Sequence, residues 1–587
     1  MFRIGRRPPR DPESCFMPTL NWIGKDAVVN HHQQVPFRLL KDVPDLACGD
    51  PGSGNLIVQG DNLEAIKALL PYYAGQVKCI YIDPPYNTGV DERDASGKRN
   101  GWIYSDNVNS PEIRKWLNTV VGAESEDLSR HDKWLCMMYP RLVLLRQFMR
   151  DDGVIFVSLD DIEMSSLRLL LDEIFGQGNR VGTIVWSNAT DNNPTNIAME
   201  HEYILCYARN KQNLPSEWKS QNLAVKDKLI ATEQDFISRY ADPQTRQEEY
   251  TKWFRANKDY LWPFDRYKFI DDGGIYTGSQ SVHNPGKEGY RFDILHPTTG
   301  KPCAEPLMGY RFPPETVQKL LEANRILFGK DETKIIELKL YVRDYRAKLS
   351  SLFELDGRVG TNEIKDIFPE NKRPFDFPKP TGLLEELLSF TTESDDLVMD
   401  SFAGSGTTAH AILKLNKADT QKRRFLLIEM KQSIARDITA ERVRRVAQGY
   451  KNAKGDAVSG IGGAFRYCEL GEPLFDEKGT IRETVKFSEL ARHVYFSETG
   501  EPLPRARVLN TPFLGECRGV GIYLLYNGIL GDESANGGNV LTRQILAKLP
   551  PFDGQKVIYC AGCLLSRDRL QSARIIVRQT PYEIKVS

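Results

Sequence analysis

Leu397-Val398-Met399-Asp400-Ser401-Phe402-Ala403-Gly404-Ser405-Gly406-Thr407-Thr408 changes its hydrophobic period midway. Residues 397–400 are a short apolar run closed by an acid, the pattern of a buried strand. From Thr407 to Leu415 the apolar spacing is helical, and Phe425 to Glu429 is a second apolar run. A strand, a tight turn, a helix and a strand make one crossover unit, and parallel strands need such a crossover. The fold class that follows is α/β. Two glycines let the loop turn sharply and approach a ligand closely. The helix N-terminus behind them favours a carboxylate. Glu429 closes the next strand, where an acid can accept from two ribose hydroxyls. The third glycine of the dinucleotide fingerprint is missing, which disfavours NAD. An ordinary strand-to-helix turn shares much of this composition.

The same alternation continues upstream. Residues 79–83, 153–159, 181–187 and 203–209 read as strands, and 134–150 and 164–175 as helices, so a mostly parallel sheet is expected. Between the two blocks the texture changes. Residues 211–365 are polar, rich in turns and aromatics, and alternate only locally, as at Ile336-Glu337-Leu338-Lys339-Leu340. An inserted domain is expected there, splitting the core into 55–210 and 366–454, with 1–54 as an N-terminal extension. The glycine-rich stretch 455–463 reads as a linker. Strands at 522–526, 557–560 and 575–577 and a helix at 542–549 predict a small α/β domain over 464–587.

Asp83-Pro84-Pro85-Tyr86 stands at the exit of the strand over 79–83. An exocyclic amine on a base is a poor nucleophile because its lone pair is delocalised into the ring. Hydrogen-bond acceptors aimed at the NH2 draw it towards tetrahedral geometry and free that pair. Asp83 supplies one acceptor and the Pro84 carbonyl another, held outward by backbone that two prolines restrict. Tyr86 offers a face for a base rotated out of the duplex. Asp-Pro and Pro-Pro are also good turn dipeptides, so a plain strand-to-turn exit has the same look. Gly60-Asp61-Asn62 precedes a helix, where Asp61 either accepts from the adenine amine of a cofactor or, with Asn62, simply caps the helix.

The 587 residues carry a net charge of −1, so no global basic signal points to nucleic acid and any DNA affinity must be local. Interleaved cations and aromatics at Lys252-Trp253-Phe254-Arg255 and Trp262-Pro263-Phe264-Asp265-Arg266-Tyr267-Lys268 suit phosphate contact and base reading, although a half-buried strand edge looks alike. Lys422-Arg423-Arg424 and the helix with Arg442, Arg444 and Arg445 face either DNA or solvent. Cys560-Ala561-Gly562-Cys563 has metal-ligand spacing, but Cys468 and Cys517 are not a second tight pair, so no metal is expected. No apolar run reaches bilayer length, and no signal-peptide core follows the basic residues 1–10; a cytoplasmic protein without membrane contact is expected.

Taken in order, the motifs resemble the amino-group DNA methyltransferases of the permuted β type, in which the catalytic motif precedes the cofactor motif. The resemblance is greatest to the Mod subunits of type III restriction–modification systems. It rests on 83–89 (Asp-Pro-Pro-Tyr-Asn-Thr-Gly), 153–161, Asp172-Glu173-Ile174-Phe175-Gly176, His201-Glu202-Tyr203-Ile204-Leu205, Phe377-Pro378-Lys379-Pro380 and 400–408. It implies a doubly wound sheet and S-adenosyl-L-methionine as cofactor. The cofactor would be held by Asp61, Asn62, Lys379, Asp400, Phe402, Ala403, Gly404, Ser405, Gly406, Thr407 and Glu429. Asp83, Pro84, Pro85 and Tyr86 would act on the base. The insert becomes a target-recognition domain for double-stranded DNA, with Asn87, Trp253, Arg255, Arg266 and Lys268 as contacts. A homodimer and a helicase–nuclease restriction subunit are the implied partners. An acidic first residue in the motif usually accompanies N6 of adenine in this family; N4 of cytosine, or a silent DNA-reading subunit, are the alternatives.

Overall fold

Ten strands form the main sheet of the computed structural model, which describes residues 20–87, 119, 129–188, 196–218, 224–257, 261, 264, 266–279, 282, 288–345, 348–476, 478–503, 510–526, 529 and 539–580. In chain order they are β1 (Arg38–Asp42), β2 (Leu56–Gln59), β3 (Val77–Ile82), β4 (Met149–Leu159), β5 (Arg180–Ser187), β6 (His201–Ala208), β7 (Leu352–Glu354), β8 (Leu397–Asp400), β9 (Arg424–Glu429) and β10 (Arg466–Pro473). Their order across the sheet is β1-β10-β2-β9-β8-β3-β4-β6-β5-β7. The six strands from β10 to β4 run parallel. β1 and β6 are antiparallel to their neighbours.

The central strands are apolar on both faces, as a sheet covered by helices on both sides requires. Ile80, Ile82, Met399, Leu426 and Ile428 are fully buried. Helices α1 (Asn62–Tyr73), α2 (Arg130–Phe148), α3 (Asp161–Phe175), α4 (Thr381–Thr391) and α5 (Thr407–Asp419) supply the cover. α2 leads from the β3 side into β4, and α5 connects β8 to β9 on the opposite side. The winding therefore reverses between β3 and β8. In a doubly wound sheet the crevice at such a reversal, beyond the strand C-termini, is the natural ligand site.

Boundaries differ from expectation in three places. The chain divides into two compact units, residues up to 216 together with those from 350 onward, and residues 217–349. β7, placed in the insert by sequence, instead pairs with β5, Leu352 opposite Val185. β10, placed in the C-terminal domain, lies inside the main sheet between β1 and β2. The expected linker contains a hairpin, Ala457–Ser459 pairing with Gly449–Lys451. Beyond β10 a four-stranded sheet of Phe513–Cys517, Val520–Leu524, Gln555–Cys560 and Ile575–Gln579 buries one face in a core of its own. Leu514, Ile522, Leu524, Val557 and Tyr559 on its other face join the main core.

The 217–349 unit has a four-stranded antiparallel sheet, with Gly274–Ser279 and Glu337–Tyr341 at its centre. Helices Ala224–Arg239 and Pro243–Asn257 pack an aromatic core of Tyr250, Phe254, Phe264 and Tyr267. Among the described residues, no helix is long and apolar enough to cross a membrane, and no three potential metal ligands converge.

Candidate active site

The segment after β3 is held in place by a chain of buried contacts. The Trp134 indole of α2 donates to the Pro85 carbonyl at 2.7 Å. Asn87 takes a left-handed conformation, φ 63°, and its amide donates to the Glu163 carboxylate and to the Arg130 carbonyl. Glu163 also meets His131 Nδ1 at 2.6 Å. With Pro85 thus engaged and Asn87 fixed, Asp83, Pro84 and Tyr86 face one cavity. Asn87 itself is 0% exposed, so its expected DNA contact is corrected: its amide is spent locking the turn.

One cation organises the acidic side. Lys379 Nζ lies 3.1 Å from Asp83 Oδ1 and donates at 3.0 Å to Glu202 Oε2 and at 2.7 Å to the Tyr86 hydroxyl. Tyr86 Oη in turn lies 2.9 Å from Asp83 Oδ1 and 2.6 Å from Glu202 Oε2. The ammonium also sits 4.8 Å from the Tyr86 ring centroid. Burial raises the Asp83 pKa, Lys379 opposes that shift and Glu202 adds to it. Burial alone would lower the Lys379 pKa, but the two carboxylates overcome it and raise it. The Lys379 carbonyl accepts from Thr407 Oγ1 at 3.2 Å, so its backbone lies beside the glycine loop. Its side chain turns instead to Asp83, Tyr86 and Glu202.

Across the reversal point, the loop from Asp400 to Thr407 forms the opposite wall. Asp400 Oδ1 accepts from the Phe402 amide at 3.0 Å and Oδ2 from Thr408 Oγ1 at 2.5 Å. Gly404 and Gly406 have φ of 48° and 78°, a region side chains rarely adopt. The Thr439 hydroxyl, from a π-helical turn over Ala435–Ala440, donates to the Gly404 carbonyl at 2.6 Å. Arg442, 0% exposed, donates to Ser405 Oγ at 2.9 Å and Thr407 Oγ1 at 2.8 Å. This arginine braces the loop from below, which corrects its reading as a DNA-facing or solvated cation. Arg423 is likewise buried, on Thr392 and Asp419, and Arg445 pairs with Glu441 and Glu370.

The cavity between the two walls is about 330 Å³. Phe375 and Phe402 give it aromatic surface, and Phe377 stands at its edge, 77% exposed with a strained φ of 49°. Burial pushes Asp400 up to about 7, against hydrogen bonds from Thr408 and Phe402.

Four expected cofactor residues stand differently. Asp61 caps α1, its Oδ1 accepting from the Glu64 amide at 3.1 Å, as the capping alternative held. The Asn62 amide donates to the Ser401 carbonyl, tying α1 to the loop. Gly406 does not line the cavity, because its missing side chain would point at Thr439. Glu429 is 0% exposed, its two oxygens accepting from the Gly404 amide at 3.0 Å and the Lys431 amide at 2.8 Å. It holds the loop in this structure rather than facing a ribose, and burial pushes its pKa up to about 8.

In the 217–349 unit the aromatics and cations separate. Trp253 stacks on Tyr250 at 5.8 Å between ring centroids, and Phe264 and Tyr267 are buried. Trp253 is therefore half-buried and packed against the aromatic core. Arg255, Arg266 and Lys268 are exposed, Lys268 lying 5.2 Å from the Phe269 ring centroid. Trp262, Pro263 and Asp265, like Thr88 and Gly89, lie outside the described residues. Sequence reasoning missed the role of Glu202. It saw the acid only as part of a family segment, and nothing local signals that β6 faces Asp83.

Residues 77–441 match the family model described as DNA methylase. The chain belongs to that DNA methylase family. It is 48% identical over 426 residues to the Mod subunit of the type III restriction–modification enzyme EcoP15I of Escherichia coli, covering 70% of this chain and 64% of that one. To the StyLTI Mod subunit of Salmonella typhimurium it is 30% identical over 463 residues, covering 73% of this chain and 62% of the relative. The chain thus spans just under two thirds of the length of these curated relatives. Among solved structures, a putative DNA modification methylase of Thermus thermophilus, complexed with S-adenosyl-L-methionine, aligns with 69% of this chain and 98% of its own at 13% identity and a TM-score of 0.28.

Proposed function

We propose that this chain transfers a methyl group from S-adenosyl-L-methionine to N6 of an adenine rotated out of double-stranded DNA. The observation that carries the reading is one cavity at the winding reversal, lined on one side by Asp83, Pro84 and Tyr86 and on the other by the glycine loop. The residues fit the cofactor chemically. The loop leads into the N-terminus of α5, which suits a carboxylate. Asp400 supplies negative charge for a cationic ligand, and Phe375 and Phe402 supply apolar walls. A Cβ on Gly404 would lie 3.1 Å from the Phe375 ring, so glycine keeps that side of the cavity open. When bound, the cofactor supplies an electrophilic methyl group.

The chain's own residues then act on the base. Asp83 and the Pro84 carbonyl accept from the target amine and localise its lone pair. Tyr86 stacks on the base while its hydroxyl stays tied to Glu202 and Asp83. No covalent bond to the enzyme is required. The acidic first residue of the motif and the likeness to Mod subunits support adenine over cytosine. That likeness also supports membership of a type III restriction–modification system, with a restriction subunit as partner, a homodimeric assembly and a cytoplasmic location. We assign target recognition to 217–349, where Arg255, Arg266 and Lys268 offer exposed cations.

Incubating the chain with duplex DNA and methyl-labelled cofactor, then digesting to nucleosides and identifying products by mass, tests the reading. N6-methyladenine with wild type and none with Asp83→Ala is the expected result. A product carrying only N4-methylcytosine would overturn the base assignment, and no methylated nucleoside would overturn the function.

A further inference from the structure

Asp83 must do two conflicting things. It must stay ionised inside a buried site, and it must keep enough electron density to accept from a weakly acidic amine. A lone ammonium against it would secure the first and spoil the second, because a fully neutralised carboxylate is a poorer acceptor. The structure has a third member in the group. Glu202 Oε2 is 3.0 Å from Lys379 Nζ and 2.6 Å from Tyr86 Oη. Its other oxygen accepts from the Asn188 amide at 2.6 Å, which fixes the carboxylate's orientation. Among the described residues, both contacts to Asp83 fall on Oδ1, from Lys379 and from Tyr86. Oδ2 is the oxygen left for the amine.

We propose that Glu202 is a positioning residue that shares the Lys379 ammonium with Asp83 and pins the Tyr86 hydroxyl, keeping Asp83 ionised but incompletely neutralised. The inference rests on the methyltransferase reading above. Lys379 then balances one of two carboxylates, and the group retains one surplus negative charge. Methyl transfer leaves the amine nitrogen cationic until it loses a proton, and a surplus negative charge nearby favours that change.

The groups facing Asp83 are few and come from several elements. Tyr81 belongs to its own strand, Tyr86 to the following turn, Glu202 to β6, Asp400 to β8 and Lys379 to the segment before α4. Tyr81 and Tyr86 are raised well above the usual phenol range by burial and remain neutral. The electrostatic contest at Asp83 is therefore between Lys379, which favours its ionised form, and Glu202 and Asp400, which oppose it.

The test is the pH profile of single-turnover methylation of duplex DNA by the full chain, for wild type, Glu202→Gln, Glu202→Asp and Lys379→Gln. Glutamine keeps the shape of Glu202 but not its charge; its one amide oxygen can take the Lys379 and Tyr86 contacts, and the Asn188 amide must then turn its oxygen to the new NH2. Glu202→Gln should lower the plateau rate about tenfold or more and move the acid limb to lower pH, since Lys379 would then serve Asp83 alone. Lys379→Gln should move the same limb to higher pH. Glu202→Asp should recover part of the rate and the wild-type direction of the limb. Cofactor affinity, measured by calorimetry, should be unchanged in Glu202→Gln. Limb shifts in the same direction for Glu202→Gln and Lys379→Gln, or a Glu202→Gln profile matching wild type, would overturn the proposal while leaving the methyltransferase reading intact. A wild-type chain that methylates no DNA would overturn both.

Discussion

Alanine at Gly406 and at Gly404 should do different things, although both glycines belong to one loop. At Gly406, φ 78°, a new Cβ would lie 3.2 Å from both Thr439 Cγ2 and the Thr439 carbonyl. The left-handed conformation costs an L-residue about 1–2 kcal/mol. The close approach to backbone adds to that, because a carbonyl within a π-helical turn cannot retreat freely. A total of about 2–3 kcal/mol would lower the thermal midpoint of the cofactor-free chain by roughly 2–3 °C, because the unit that holds the loop is large and its unfolding entropy correspondingly high. Since Gly406 does not line the cavity, its cofactor affinity below that midpoint should stay within about threefold of wild type, under 1 kcal/mol. At Gly404, φ 48°, the new Cβ meets Phe375 Cζ at 3.1 Å, the far end of a ring that walls the cavity. The ring can move, so Gly404→Ala should lose cofactor affinity by about tenfold or more. Paired measurements of thermal unfolding and calorimetric titration with S-adenosyl-L-methionine separate the two. If Gly406→Ala loses tenfold in affinity with an unchanged midpoint, its missing side chain serves the cofactor directly and the argument from Thr439 fails.

Asp83→Ala should abolish methyl transfer while leaving cofactor and DNA binding near wild type in titrations of each; near-normal turnover would remove Asp83 from the chemistry. Cofactor affinity should rise about tenfold between pH 6 and pH 8, because a net cation binds best once Asp400, pushed up to about 7, has released its proton; Asp400→Asn should flatten that profile. The same raised pKa means the folded chain keeps a proton the unfolded chain gives up, so this stabilisation is full below about pH 4 and is lost as pH rises through about 7. Tyr86→Ala should fail in the methylation assay while Tyr86→Trp keeps part of the rate, and equal loss in both would assign the role to the hydroxyl. Exchanging 217–349 for the corresponding unit of a relative should change the DNA sequence modified, read by modified-base sequencing, without changing the product; an active chimera that keeps the original site would place recognition elsewhere.

What the sequence disclosed followed from period and order. β3, β4, β8 and β9 are continuous apolar runs, and they lie within a few residues of the expected bounds because burial on both faces demands such runs. β1 and β2 escaped notice for different reasons. Leu56-Ile57-Val58-Gln59 is as short as β8 but has no acid closing it to mark a strand end, and Arg38-Leu39-Leu40-Lys41-Asp42 is half-exposed at an edge. β10 carries Arg466, Glu469 and Glu472, and only its pairing with β1 and β2 makes it core. At the site, Asp83 and the glycine loop were legible because their chemistry is written locally. Glu202 was not, since an antiparallel pairing decides what it faces. Glu429 was placed correctly at a strand end, but the loop amides that claim it belong to the tertiary structure.

The position of β10 also sets a timetable for biosynthesis. Arg38 of β1 donates to the carbonyl of Gly471, 433 residues later, and in the sheet β1 is bonded to β10 alone. At about 5–20 residues per second, the amino-terminal strand waits on the ribosome for roughly 20–90 s before its neighbour exists. β2 waits almost as long, because both its partners, β9 and β10, come from beyond the inserted unit. Nascent chains of this protein therefore carry two unpaired strands while 217–349 is already complete and able to collapse on its own core. A ribosome that stalls after β9 and before residue 466 releases a product with an open sheet edge at β2. Such products are natural clients for chaperones and proteases, and yield in expression hosts should depend on chaperone supply more steeply than on the stability of the finished fold.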